Sequence, residues 1–169
     1  GAVTARDAVL RFGTGLENAG AVAITGNETD VTGDILNSAY GRVTISGGAS
    51  VTFWDDVTNE GSSRVSDGSE AVFFGCVDGT GSFTGTGTVY LEGDIRPGAS
   101  PGEVPFEGDV ILGQNSWLEM ELGGVLAGGE YDRLVVGGSA MLAGTLEILL
   151  IGGYRPAAGD SFVLVDAGL

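Results

Sequence analysis

A glycine-punctuated pattern recurs about every twenty residues, and no other feature of the chain limits its fold as much. Laying Val43–Ser62 (VTISGGASVTFWDDVTNEGS) over Ser63–Ser82 (SRVSDGSEAVFFGCVDGTGS) puts Ile45 on Val65, Gly48 on Gly68 and Phe53 on Phe73. Trp54 then falls on Phe74, Val57 on Val77 and Gly61 on Gly81. Short apolar runs between glycine turns at a fixed period belong to a solenoid, because one rung cannot bury its apolar face alone and stacked rungs can. The register extends upstream at offsets of 22 and 19 and downstream at 18. It predicts two apolar columns, Phe12/Val31/Phe53/Phe73/Leu91 and Leu16/Ile35/Val57/Val77/Ile95. The step of 22 also sets Asp34 on Asp56 and Arg42 on Arg64.

Within a rung the apolar residues alternate with Thr, Ser and Arg, as in Val43-Thr-Ile-Ser and Val51-Thr-Phe. A period of two means strands with one face in and one face out. No stretch carries the i, i+3, i+4 spacing of an amphipathic helix over three turns. The expected fold is all-β: a right-handed parallel β-helix (β-solenoid) over residues 1–95, in rungs of 18–22 residues, with its handedness taken from the general preference of parallel crossovers. Residues 96–169 are expected to be β-rich, continuing the stack with wider turns or capping it as a small sandwich. There Leu146–Ile151 is apolar almost throughout, which predicts a strand buried on both faces. Asn18, Asn37 and Asn59 recur beside an apolar column, with Gly79 in the fourth place. Their spacing predicts an asparagine ladder at a bend.

The formal charge is −16, and all seven basic residues are arginine. So acidic a surface repels phosphate backbones, which argues against a nucleic-acid partner. With no histidine, Ser-His-Asp and Cys-His sites and histidine metal sites are excluded. Gly13-Thr-Gly15 and Gly85-Thr-Gly87 lack the glycine, lysine and helix of nucleotide-binding loops. The single Cys76 has no intrachain partner and reads as an incidental thiol. No eighteen-residue apolar run is present to span a membrane. The sequence begins without an initiator methionine or signal peptide, which suggests a mature or excised piece.

Carboxylates are the chemistry that remains. Asp34, Asp55, Asp56 and Glu60 fall on one side of adjacent rungs, and a glycosidase needs one carboxyl as acid and another as base or nucleophile. Arg42 and Arg64 are the local basic candidates for lyase chemistry. Calcium on an acidic turn is the alternative to a chain without a cofactor. Trp54 and Phe74 follow the inward Phe53 and Phe73, so strict alternation points them outward, where they and Asp34, Asp55 and Asp56 could hold a sugar ring. The blander expectation, which the two consecutive large residues favour, is a bulge that turns both inward.

Several features after Gly93 carry a resemblance: Arg96-Pro-Gly-Ala-Ser-Pro-Gly102, Gly108-Asp-Val-Ile-Leu and Ser116-Trp-Leu-Glu-Met-Glu-Leu. Further on come Tyr131-Asp-Arg-Leu-Val-Val-Gly-Gly and Gly153-Tyr-Arg-Pro-Ala-Ala-Gly-Asp-Ser-Phe162. In order and spacing, residues 93–167 resemble the C-terminal part of bacterial autotransporter passenger domains and related exported β-helix proteins. The resemblance implies a β-helix at the bacterial cell surface or in the extracellular matrix, and it brings no catalytic residue.

The expected function is therefore that of a non-enzymatic structural protein, with a carbohydrate-active or carbohydrate-binding β-helix as the alternative. The ends add a third expectation. The chain enters almost at once into Ala8-Val-Leu-Arg-Phe12 and stops at Phe162-Val-Leu-Val-Asp-Ala-Gly-Leu169. A solenoid end exposes unpaired backbone and apolar interior. Either neighbouring domains belong there, or Ala8, Leu10 and Phe12 of one copy meet Phe162 and Leu164 of another in a head-to-tail filament.

Overall fold

The structure, a computed structural model, describes residues 1–98 and 101–168. Among them are twenty-two strands and no helix, assembled as three parallel sheets of eight, seven and seven strands. Each strand passes the chain to the next sheet, and every third strand returns beside its predecessor. The first sheet opens with Ala2–Arg6, the second with Val9–Arg11 and the third with Leu16–Asn18. The chain is a parallel β-solenoid.

Burial alternates along the strands, as in Val57–Asn59 and Trp117–Leu122, so the residues of period two line one interior. In the third sheet Leu16, Ile35, Val57, Val77 and Ile95 form the predicted column, which continues through Leu118 and Leu146. In the second sheet Val31, Phe53, Phe73 and Leu91 stack as predicted, and Leu112 follows. The first turn departs from the prediction: Leu10, not Phe12, lies on Val31. Phe12 and Leu16 have the same spacing as Val31 and Ile35, so the pattern alone favours Phe12. The actual corner is two residues longer, and Phe12 sits in it at the level of Gly33, half-buried against the same interior.

A second correction concerns the arginines. Arg42 pairs with Ala21 and Ser62, while Arg64 pairs with Thr44 and Thr84, so they share no column. The segment from Asn37 to Arg42 is two residues longer than that from Asn59 to Ser62, and the excursion carrying exposed Tyr40 absorbs the difference.

Beyond Gly98 the strands join the same three sheets, so the second half extends the stack. Val104 lies on Leu134 and Val110 on Ala140, steps of 30 residues, with much of the extra length in the excursion at 123–131. Leu146–Ile151 is not buried on both faces. Among the described residues Thr145–Leu150 is the edge strand of its sheet, with its inward side open. Leu146 is 53% and Leu150 55% exposed, whereas Leu118 and Leu122 beneath them are buried.

Phenylalanines knit the interior across sheets. Phe53 and Phe73 stack at 4.7 Å, Phe83 and Phe106 at 4.6 Å, and Phe73 meets Phe83 edge-on at 5.9 Å. Each such ring, fully buried, contributes roughly 1.5–3 kcal/mol of transfer free energy.

Candidate functional site

The asparagine column is a closed ladder. Asn18 Nδ2 donates to Asn37 Oδ1 at 2.9 Å, and Asn37 Nδ2 donates to Asn59 Oδ1 at 2.7 Å. The same amides reach the carbonyls of Arg42, Ser62 and Ser82 across the bend. All three asparagines are buried, so their polar groups serve the backbone and face no ligand. Gly79 ends the ladder because its φ is +105° and a Cβ there would stand 2.3 Å from the Asn59 carbonyl oxygen.

The candidate carboxylates are spent in the same way. Asp55 accepts from the Gly33 amide of the preceding turn at 2.7 Å, and Asp56 accepts from the Cys76 amide of the following turn at 2.8 Å. Glu60 takes the amide and hydroxyl of Thr80, and Glu107 takes the amide of Gly85. Asp109 takes both the amide and hydroxyl of Ser139, and these bonds hold its carboxyl below the ordinary range. Corners break the ladder of backbone bonds, and these acids fill the gaps with charge-assisted ones. Of the original set Asp34 alone makes no such bond among the described residues; it is exposed, in a shallow cleft beside Asp56. The sequence marks these positions only as acidic; that each faces an amide one turn away needs the corner geometry.

Asp132 is the deepest of these clamps. It is 2% exposed and accepts from Gly102 at 2.6 Å and Glu121 at 2.8 Å, fixing the residue before one strand to the end of another. Burial raises its carboxyl above the ordinary value, against the lowering effect of the two amides.

Trp54 and Phe74 point outward, against the inward expectation: they are 48% and 46% exposed. Their rings stack at 4.7 Å and 7°, so each covers a face of the other, and Trp54 Nε1 donates to Asp30 at 2.8 Å. Asp30, absent from the sequence candidates, fixes the indole. Asp55 is the residue next to Trp54, but Asp34 and Asp56 line a different cleft, with Asp78, Cys76 and Arg96. The structure therefore divides the five sugar-site candidates between two places.

That second cleft runs along the outside of the third sheet, where Thr58, Asp78 and Arg96 share a column. Arg96 pairs with Asp94 and Glu119, each at 3.7 Å. Asp78 Oδ1 is buried with no hydrogen-bond partner among the described residues. Burial pushes the Cys76 thiol up to about 11, with Arg96 opposing and the nearby aspartates reinforcing the rise. Among the described residues no three His, Cys, Asp or Glu side chains converge to hold a metal ion, which leaves the calcium alternative without a ligand set there.

The residues expected to join copies also divide. Ala8, Leu10 and Phe12 lie half-buried in the first turn, against the interior. Leu164 likewise packs inward, and Phe162 is turned onto its own chain, edge-on to Tyr131 at 5.3 Å and Tyr154 at 6.4 Å. The apolar edge at that end consists instead of Met141, Leu142, Leu146, Ile148 and Leu150.

No family model, curated protein or solved structure matches the chain. Its fold class rests on the sheet topology itself. No helix among the described residues is long and apolar enough to cross a membrane.

Proposed function

We propose that the chain is a non-enzymatic structural protein of the bacterial cell surface or extracellular matrix, whose copies join end to end. The observation that carries this reading is the use made of its acids. Asp55, Asp56, Glu60, Glu107, Asp109 and Asp132 accept backbone amides of neighbouring turns or strands, so groups that a hydrolase would aim at substrate hold the stack together. The likeness of residues 93–167 to autotransporter passengers supports export by a bacterium, and the apolar edges of the terminal turns support association with further copies. Sedimentation and electron microscopy of the purified chain test the reading: rods should lengthen with concentration. Release of sugar from a panel of polysaccharides, lost in Asp56→Ala, would overturn it.

One observation favours a second reading, carbohydrate binding: the exposed Trp54–Phe74 pair held by Asp30. An exposed aromatic pair at a corner of the stack suits the apolar face of a sugar. A change in tryptophan fluorescence on adding oligosaccharides, abolished by Trp54→Ala, would support it; no change across the panel would discard it.

A further inference from the structure

The connections between strands grow long on one edge of the stack only. Among the described residues, no connection from the first sheet to the second or from the second to the third exceeds four residues, as at 46–49 and 113–116. From the third sheet back to the first they run from two residues at 19–20 to ten at 123–132 and fourteen at 151–164. In repeat proteins such insertions gather on one face, and that face is often the one that binds.

Along that edge two short connections, 60–61 and 80–81, lie between longer ones at 38–41 and 98–102. The dip holds a cleft of about 410 Å³, within the size range of small-molecule sites. Its floor is glycine at three successive levels, Gly41, Gly61 and Gly81, so a ligand there meets backbone at close range. Packing accounts for these glycines, since a Cβ on any of them would strike a carbonyl oxygen of the preceding turn. It does not account for the side chains beside them. Tyr40, raised on the longer connection, is 88% exposed, and Arg42 has no ion pair among the described residues. Glu60 accepts from Thr80 through Oε2, and the hydroxyls of Ser62 and Ser82 complete the lining.

From these observations we infer that the dip is a binding site for a short, uncharged oligosaccharide. An aromatic ring, a guanidinium, a carboxylate and three hydroxyls line it. The ring takes the apolar face of a sugar, and the polar groups serve its hydroxyls as donors and acceptors. One charge of each sign favours neither an anion nor a cation within the cleft, and the net −16 of the chain repels acidic glycans. The longer connections that bound the dip are three turns apart, about 14 Å, which limits the ligand to a short chain. The site is separate from the Trp54–Phe74 pair, which stands at the edge between the second and third sheets, and it requires no association of copies.

The purified chain is applied to an array carrying neutral oligosaccharides of glucose, galactose, mannose and N-acetylglucosamine beside sialylated and sulfated ones, and each glycan retained is titrated by calorimetry. Binding should be confined to neutral glycans. Tyr40→Ala and Arg42→Ala each remove an exposed side chain and should weaken it about tenfold. Circular dichroism checks that both variants keep the fold. Trp54→Ala should leave the affinity unchanged. Retention of no glycan, or of acidic glycans, would overturn the inference. So would binding that survives Tyr40→Ala or that Trp54→Ala removes; the latter would place the sugar on the Trp54–Phe74 pair and leave the second reading standing without this site. None of these results bears on the end-to-end reading, which the length of the rods tests.

Discussion

Asn37 has no exposed surface, donates to Asn59 and accepts from Asn18, so its loss strands a donor on one side and an acceptor on the other. A buried group left unpaired costs about 1–3 kcal/mol. Asn37→Ala should therefore cost about 3 kcal/mol in urea unfolding, and Asn18→Ala, at the end of the ladder, about 1 kcal/mol. Equal losses at the two positions would mean that the ladder does not act as a chain. Cys76 offers a second local test. Its thiol holds a proton up to about 11, so at pH 8 the folded protein presents about a hundredfold less thiolate than the unfolded chain. Alkylation should be slower by about that factor, and unfolding in denaturant should restore it. Because this pKa is raised on folding, the associated stability is complete below the ordinary thiol range and falls as pH rises toward 11. Asp109 works in the opposite sense: its lowered carboxyl contributes stability above the ordinary carboxylate range, lost as pH falls through its folded value. Ser139→Ala should make that acid-side dependence shallower.

The strand Glu70–Phe73 shows how unevenly two adjacent aromatic residues contribute. Phe73 lies inside, stacked on Phe53 and edge-on to Phe83, while Phe74 begins the corner and faces water. Phe73→Ala should cost about 3–5 kcal/mol, and Phe74→Ala less than about 1 kcal/mol, since only a half-exposed contact is lost. The inward residue was legible from the period-two pattern; the outward one was not, because a bulge and a corner leave the same two letters. Columns in the middle turns were legible for the same reason, since each rung there repeats its neighbour. Phe12 and Arg42 misled because extra corner residues preserve the apolar spacing on one side of the bend while shifting the register on the other. Leu146–Ile151 misled because an apolar run does not say whether its strand lies inside a sheet or at the edge of one. The acid clamps were illegible for a third reason: each bonds to a backbone amide, and every residue except proline has one. The glycines of the corners report the close packing directly. A Cβ on Gly61 would meet the carbonyl oxygens of Gly41 at 2.3 Å and Ser38 at 2.5 Å, both backbone atoms.

A stack in which each turn touches mainly its two neighbours behaves as a one-dimensional system, with stability summed from turns and the interfaces between them. The middle turns have two interfaces, a closed interior, an asparagine ladder and stacked phenylalanines. The terminal turns have one interface each and apolar residues open to water. Opening should therefore begin at the ends and move inward. In hydrogen exchange at low concentration, protection should be weakest in Ala2–Arg6 and Val165–Ala167 and strongest around Val57–Asn59 and Val77–Gly79. Uniform protection along the stack would instead mean a single cooperative unit. The same measurement connects stability to assembly. If copies join at their terminal turns, the added interface converts an end into a middle, and mass action raises the protection of these two segments as the concentration rises. The central strands, already closed on both sides, should not respond. An increase spread evenly over all strands would locate the contact on the lateral faces, where the negative charge of the central turns stands against it.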